Sequence, residues 1–104
     1  MNIIFFDDKL EPFFTSLEKS TIAKVLRTID LLEKFGNRLG MPHSKPIKGE
    51  LFELRIRGIQ EVRVIYAYHR GQIVLLHGFL KKTNEISLKD LNQAKMKKKQ
   101  LDDK

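Results

Sequence analysis

Two lysines stand side by side at Lys81 and Lys82, where the apolar run from Ile73 to Leu80 ends. Upstream, the segment Glu50-Leu51-Phe52-Glu53-Leu54-Arg55-Ile56-Arg57 alternates with a period of two. Such a period puts Glu53, Arg55 and Arg57 on the face opposite Phe52, Leu54 and Ile56. In Glu61 to Arg70, Arg63 and His69 share one parity, opposite Val62, Val64, Tyr66 and Tyr68. Guanidinium forks fixed on rigid strands match phosphate oxygens, and preformed cations matter most where negative charge develops. Neighbours on a strand point to opposite faces, so only one of Lys81 and Lys82 is expected at such a site, and Lys82 is the choice. Lys45 and Lys48, on a loop, are expected to meet phosphates. Three histidines offer acid–base chemistry near neutral pH. His69 shares the basic face, His43 lies on a loop, and His77, at the parity of Leu75 and Phe79, reads as a hydrogen-bonded core residue. No HExxH or DxD pattern suggests a metal, and no Gly-rich loop suggests a nucleotide cofactor.

The elements that must carry these groups are legible from period and punctuation. Ile3-Ile4-Phe5-Phe6 is a short β run, and Lys9 to Leu17 a short helix with Pro12 in its first turn. Ser20 is the expected N-cap of a longer helix, in which Ile22, Val25, Leu26, Ile29, Leu32 and Phe35 recur at helical spacing until Gly36 stops it. Asn37 to Gly49 reads as a loop, given Gly40, Pro42, Pro46 and Gly49. Three strands follow, joined by tight turns as an antiparallel meander, the last apolar on both faces as a central strand is. Ser87 caps a final short helix, with Asp90 three residues on, and Lys95 to Lys99 is expected to be frayed and solvated. The expected fold is α+β in the order β-α-α-β-β-β-α. The two N-terminal helices cover the sheet face bearing Phe52, Leu54, Val64 and Tyr66, and the arginine face stays open.

With 104 residues the chain suits one domain over 1–104, with 95–104 as a basic tail. It has no cysteine, which excludes disulfides and thiolate metal sites. No apolar stretch approaches a membrane span, and the acidic start is not a signal peptide, so a cytosolic location is expected. The net charge of +7 lies wholly in the second half. Residues 1–44 hold six Lys/Arg against six Asp/Glu, residues 45–80 six against three, and residues 81–104 eight against four. That asymmetry suits a polyanion such as nucleic acid.

The stretches "KPIKGELFELRI", "VRVIYAY" and "IVLLHGFLKKT", followed by a helix, resemble the RelE/HigB superfamily of bacterial toxins, nearest to its phage-derived branch. The similarity spans roughly residues 3–95, and the order and spacing of the motifs carry it. The resemblance implies a compact RelE-like, microbial-ribonuclease-type fold. It implies a toxin of a type II toxin–antitoxin pair that cleaves mRNA in the ribosomal A site and is held inactive by a cognate antitoxin, a small helix-turn-helix protein. It places catalytic roles at Arg55, Arg63, Tyr66 and one of the Lys81–Lys82 pair, with His69 added from its parity. RNA contacts are expected at Lys45, Lys48, Arg57, Lys81, Lys95, Lys97, Lys98 and Lys99. No cofactor is implied. RelE itself closes its last strand with an arginine and has a catalytic tyrosine in its final helix; here both closing residues are lysine, and residues 87–104 hold neither Tyr nor Arg. The alternatives are a toxin of the same fold that does not cut RNA, such as a ParE-like gyrase inhibitor, and a non-catalytic RNA-binding module.

Overall fold

The computed structural model describes residues 1–104 as an α+β fold with a five-stranded sheet in the order β1-β5-β4-β3-β2. The strands are β1 (Ile3–Phe5), β2 (Ser44–Ile47), β3 (Leu51–Ile56), β4 (Val62–His69) and β5 (Gln72–Leu80). All neighbours are antiparallel except β1, which runs parallel to β5 with Ile3 opposite Ile73. The expected meander is therefore present, and β5 is an interior strand flanked by β1 and β4, with β4 at the centre of the sheet. Arg70 and Gly71, at φ +49° and +77°, join β4 to β5 by a turn with both central residues left-handed, the kind that matches strand twist.

Helices α1 (Leu10–Thr15) and α2 (Lys19–Phe35) cover one face, as the alternation requires. Leu10, Phe14, Val25 and Leu32 pack there with Leu54, Ile56, Val64, Tyr66 and Leu75. α2 begins one residue before the expected cap: Glu18, with extended backbone, is its N-cap, and Ser20 lies inside the first turn. Its buried line is Thr21, Val25, Thr28 and Leu32, so Leu26 faces solvent at 57% exposure rather than the sheet. The buried Thr28 hydroxyl donates to the Lys24 carbonyl at 2.8 Å, which satisfies it within the helix. Gly36, at φ +54°, ends α2 as expected. Gly78 of β5 lets α1 lie close: a Cβ there would stand 2.9 Å from the Phe13 ring.

The second sheet face is not open. Helix α3 (Leu88–Asp102) packs across it, burying Ala94 and Leu101 against Leu51, Ile65, Ala67, Val74 and Leu76. Its cap is the expected one, with the Asp90 N–H donating to Ser87 Oγ at 3.1 Å and Ser87 Oγ donating to Asp90 Oδ2 at 2.7 Å. The helix is neither short nor frayed at its basic stretch. Lys97 is buried, its ammonium donating to the Leu76 carbonyl at 3.0 Å and paired with Asp7 at 3.0 Å. That carbonyl belongs to a β-bulge. Ile65 opposes His77 and Tyr66 opposes Leu75, so Leu76 has no partner on β4. The bulge breaks the expected parity and turns His77 to the α3 face together with Leu76. Burial pulls the Asp7 carboxyl upward, but the Lys9 backbone N–H and the Lys97 ammonium outweigh it and hold it below the usual carboxylate value.

β2 replaces the end of the expected loop. Pro46 does not forbid it, because β2 is the sheet edge and its outer side needs no donor.

Candidate functional site

Arg55 and Arg63 stand directly opposite each other on β3 and β4. Two like charges in that register repel. The Glu53 carboxylate, 4% exposed, lies between them, 3.5 Å from Arg55 Nε and 3.9 Å from Arg63 Nε. Arg63 is not on an open face as expected. It is 1% exposed. Its guanidinium donates to the Val62 carbonyl at 2.9 Å and to Glu61 at 3.3 Å. Burial raises the Glu61 carboxyl, but the Gly58 N–H, Arg63 and Arg57 together hold it below its usual value. Arg63 is therefore committed to the frame. Arg55 keeps more freedom: the Nε of each arginine lacks a hydrogen-bond acceptor, but the Nη1 of Arg55 reaches only the Met41 sulfur, at 3.4 Å, where Arg63 holds the Val62 carbonyl and Glu61.

Arg55 opens into a cleft of about 380 Å³ between β2, β3 and the segment that links β5 to α3. Lys45, Lys48, Arg55 and Lys81 line it, with Glu53 and Glu85 as the acids and Ile47, Ile86 and Leu91 as an apolar floor. Lys45 is placed by register opposite Glu53, on the same sheet face as Arg55. Lys81 is placed by its N–H, which donates to the Glu61 carbonyl at 2.8 Å and extends the β4–β5 ladder by one rung. Four cations from three parts of the chain thus converge on one concavity. Such a place suits a phosphodiester: fixed positive charge binds its oxygens, and the lysine ammoniums carry protons to donate.

The profile of the family described as "Phage derived protein Gp49-like (DUF891)" matches residues 12–99. The chain belongs to this family. The family falls in the RelE/HigB-type toxin group, so a toxin-like function and an antitoxin partner come with it. No curated protein matches the chain.

In this Gp49-like chain several expected site residues lie elsewhere. Tyr66 is 1% exposed on the α2 side of the sheet, its hydroxyl bonded to that of Ser44. Burial pushes that hydroxyl up to about 12, against the Ser44 hydrogen bond and with Tyr68 adding to the rise, so it is a core group. His69 is at the far end of β4, six residues or ~20 Å along the strand from Arg63, near Asp102 at 4.0 Å. Lys82, favoured over Lys81, lines only another depression beside Ser87, Lys89 and Asp90; Lys81 borders both that depression and the cleft. Arg57 is on the opposite side of Arg55 from the cleft and pairs with Glu61 at 3.4 Å. Lys97 is buried, and Lys98 pairs with Asp102 at 2.6 Å; Lys95 and Lys99 are exposed around a shallow acidic and basic depression at the other end of α3.

Glu53, within the "ELR" motif itself, pairs with both arginines, the ordinary ion-pair alternative for residues on these strands. The partner of His77 escaped the sequence reading. His77 reaches Asp90 of α3 at 2.8 Å, tying β5 to the capped first turn of that helix. The bulge that turns His77 to this side has no local sequence signal. The structure also has no helix long and apolar enough to cross a membrane.

Proposed function

We propose that this Gp49-like chain is the toxin of a type II toxin–antitoxin pair and a ribosome-dependent mRNA endonuclease. The observation that carries the reading is the convergence of Lys45, Lys48, Arg55 and Lys81 on one cleft of a chain from a toxin group. The ribose 2′-oxygen attacks the adjacent phosphorus as its proton leaves, the P–O5′ bond breaks, and the products are a 2′,3′-cyclic phosphate and a 5′-hydroxyl. Arg55 meets the charge that builds on the phosphorane, on a rigid strand and partly shielded from water. Lys81 is placed to protonate the departing 5′-oxygen, and Lys45 and Lys48 hold flanking phosphates. The buried carboxylate of the cleft, Glu53, is tied to the arginine pair, and Glu85 is an exposed rim group that nothing holds in place, so no side chain is fixed there as a base. The ribosome therefore orients the 2′-hydroxyl in line and assists its deprotonation.

The test is primer extension on ribosomes carrying mRNA in the A site. Wild type should produce discrete cuts within codons, and Arg55→Ala should lower the cleavage rate about a hundredfold. An uncut message under wild-type protein, with supercoiling by purified gyrase blocked instead, would replace this reading with a gyrase-directed toxin.

A further inference from the structure

On the other side of Arg55 from the cleft lies a second depression, of about 330 Å³, between α2, the segment before β2 and the end of β3. Lys24 and Arg27 of α2, His43, Arg55 and Arg57 line it. No carboxylate does, whereas the cleft contains Glu53 and Glu85. The walls are held together. Lys24 Nζ donates to the Arg57 carbonyl at 3.3 Å, and the Arg55 N–H donates to the His43 carbonyl at 2.8 Å. Arg55 borders both depressions, so they form one cationic track around the strand end, with Arg55 at the crossing.

From this the geometry points to a second phosphate-binding segment. A single RNA strand lying in the cleft continues past Arg55 into the α2 groove, where Lys24 and Arg27 contact about two further phosphates. The proposal rests on the RNA reading of the cleft. Arg55 and Arg57 keep carboxylate partners outside the lining, Glu53 and Glu61, but Lys24 and Arg27 form no ion pair, and a polyanion relieves the repulsion that this leaves in the empty groove. The guanidinium groups of Arg27, Arg55 and Arg57 suit phosphate oxygens. An acidic protein segment is the competing occupant, since Leu31, Pro42 and Ile56 also line the groove; its continuity with the cleft through Arg55 favours a phosphodiester strand.

The experiment measures binding of fluorescein-labelled oligouridylates of about three and about ten nucleotides to the full chain across a range of salt, since each phosphate contact to a single strand contributes about 0.7 to the salt slope. Lys24→Gln/Arg27→Gln should weaken the longer strand about tenfold and cut its slope by about 1.4, while leaving the short strand unchanged. Lys45→Gln/Lys48→Gln should weaken both. Circular dichroism checks the fold, and Arg27→Gln alone serves where the double variant does not fold. Unchanged affinity for the longer strand overturns the groove and leaves the cleft reading standing. Equal weakening of both strands marks a general charge effect and also overturns it. Failure of wild type to bind either strand removes the cleft reading and the groove together. Loss of affinity for a polyglutamate peptide, with RNA binding intact, would give the groove to an acidic protein segment instead.

Discussion

Truncating Arg63 to alanine strips Glu53 and Glu61 of a buried guanidinium and leaves a void where it was buried. Breaking a buried pair by removing one partner costs about 3–5 kcal/mol. That is a large share of the roughly 5–15 kcal/mol by which a domain is stable. Arg63→Ala should therefore show a much lower urea midpoint, and any loss of growth arrest would follow from unfolding. Arg55→Ala should behave differently. Glu53 keeps Arg63, no cavity opens in the core, and the urea midpoint should move little while growth arrest is lost. Measured side by side, the two variants separate a structural arginine from a functional one on facing strands. If Arg63→Ala is as stable as wild type, the buried Glu53–Arg63–Glu61 cluster does not hold the sheet as described.

At the scale of elements, the latch between α3 and the sheet is the feature that decides stability at low pH. Lys97 spans the Leu76 carbonyl and Asp7, which joins the chain's first strand segment to its last helix. Unfolded Asp7 protonates near its ordinary value of 3.8, and folded Asp7 below it. The stability this difference supplies is complete above the unfolded value and fades as pH falls through the folded one. The melting temperature should therefore drop below about pH 4, with less drop in Asp7→Asn. Lys97→Ala should cost about 1–3 kcal/mol, since it strands a buried carbonyl, and should speed amide exchange throughout residues 88–102. Gly78→Ala should cost about 1–3 kcal/mol by forcing the Phe13 ring off the sheet, readable by urea denaturation. The meander, α2 and the α3 cap were legible in the sequence because their signals are local: period, Gly36, and Ser87 with Asp90. The packing of α3 was not. Its apolar side is thin, and what buries Lys97 is Asp7, ninety positions away, together with a carbonyl that only the bulge frees. β2 was missed because four residues containing a lysine and a proline carry no period. The lining of the cleft was half legible. The resemblance, with strand and loop placement, pointed to Arg55, Lys45 and Lys48, whereas Lys82 was favoured over Lys81. The burial of Arg63, and the place of Lys82 outside the cleft, depend on non-local packing.

Considered whole, the molecule separates the cations of its cleft from its histidines. The cleft collects Lys45, Lys48, Arg55 and Lys81, while His69 sits near the end of α3 and His77 is engaged by Asp90. An arrangement of this kind binds phosphates well and removes protons poorly, so affinity and chemistry should come apart in solution. Purified protein should bind naked RNA with a strong salt dependence, as phosphate neutralisation requires, yet cut it negligibly. The same protein at the same salt should cut mRNA once ribosomes position it, because orientation alone can supply several kcal/mol of the barrier. His69→Ala and His77→Gln should leave the ribosome-dependent rate close to wild type, provided His77→Gln keeps its link to α3. The comparison is a gel assay of one labelled message, with and without ribosomes, at equal protein concentration. Robust cutting of naked RNA by wild type, lost in His77→Gln while circular dichroism stays unchanged, would move the chemistry to the β5–α3 junction and make the ribosome dispensable.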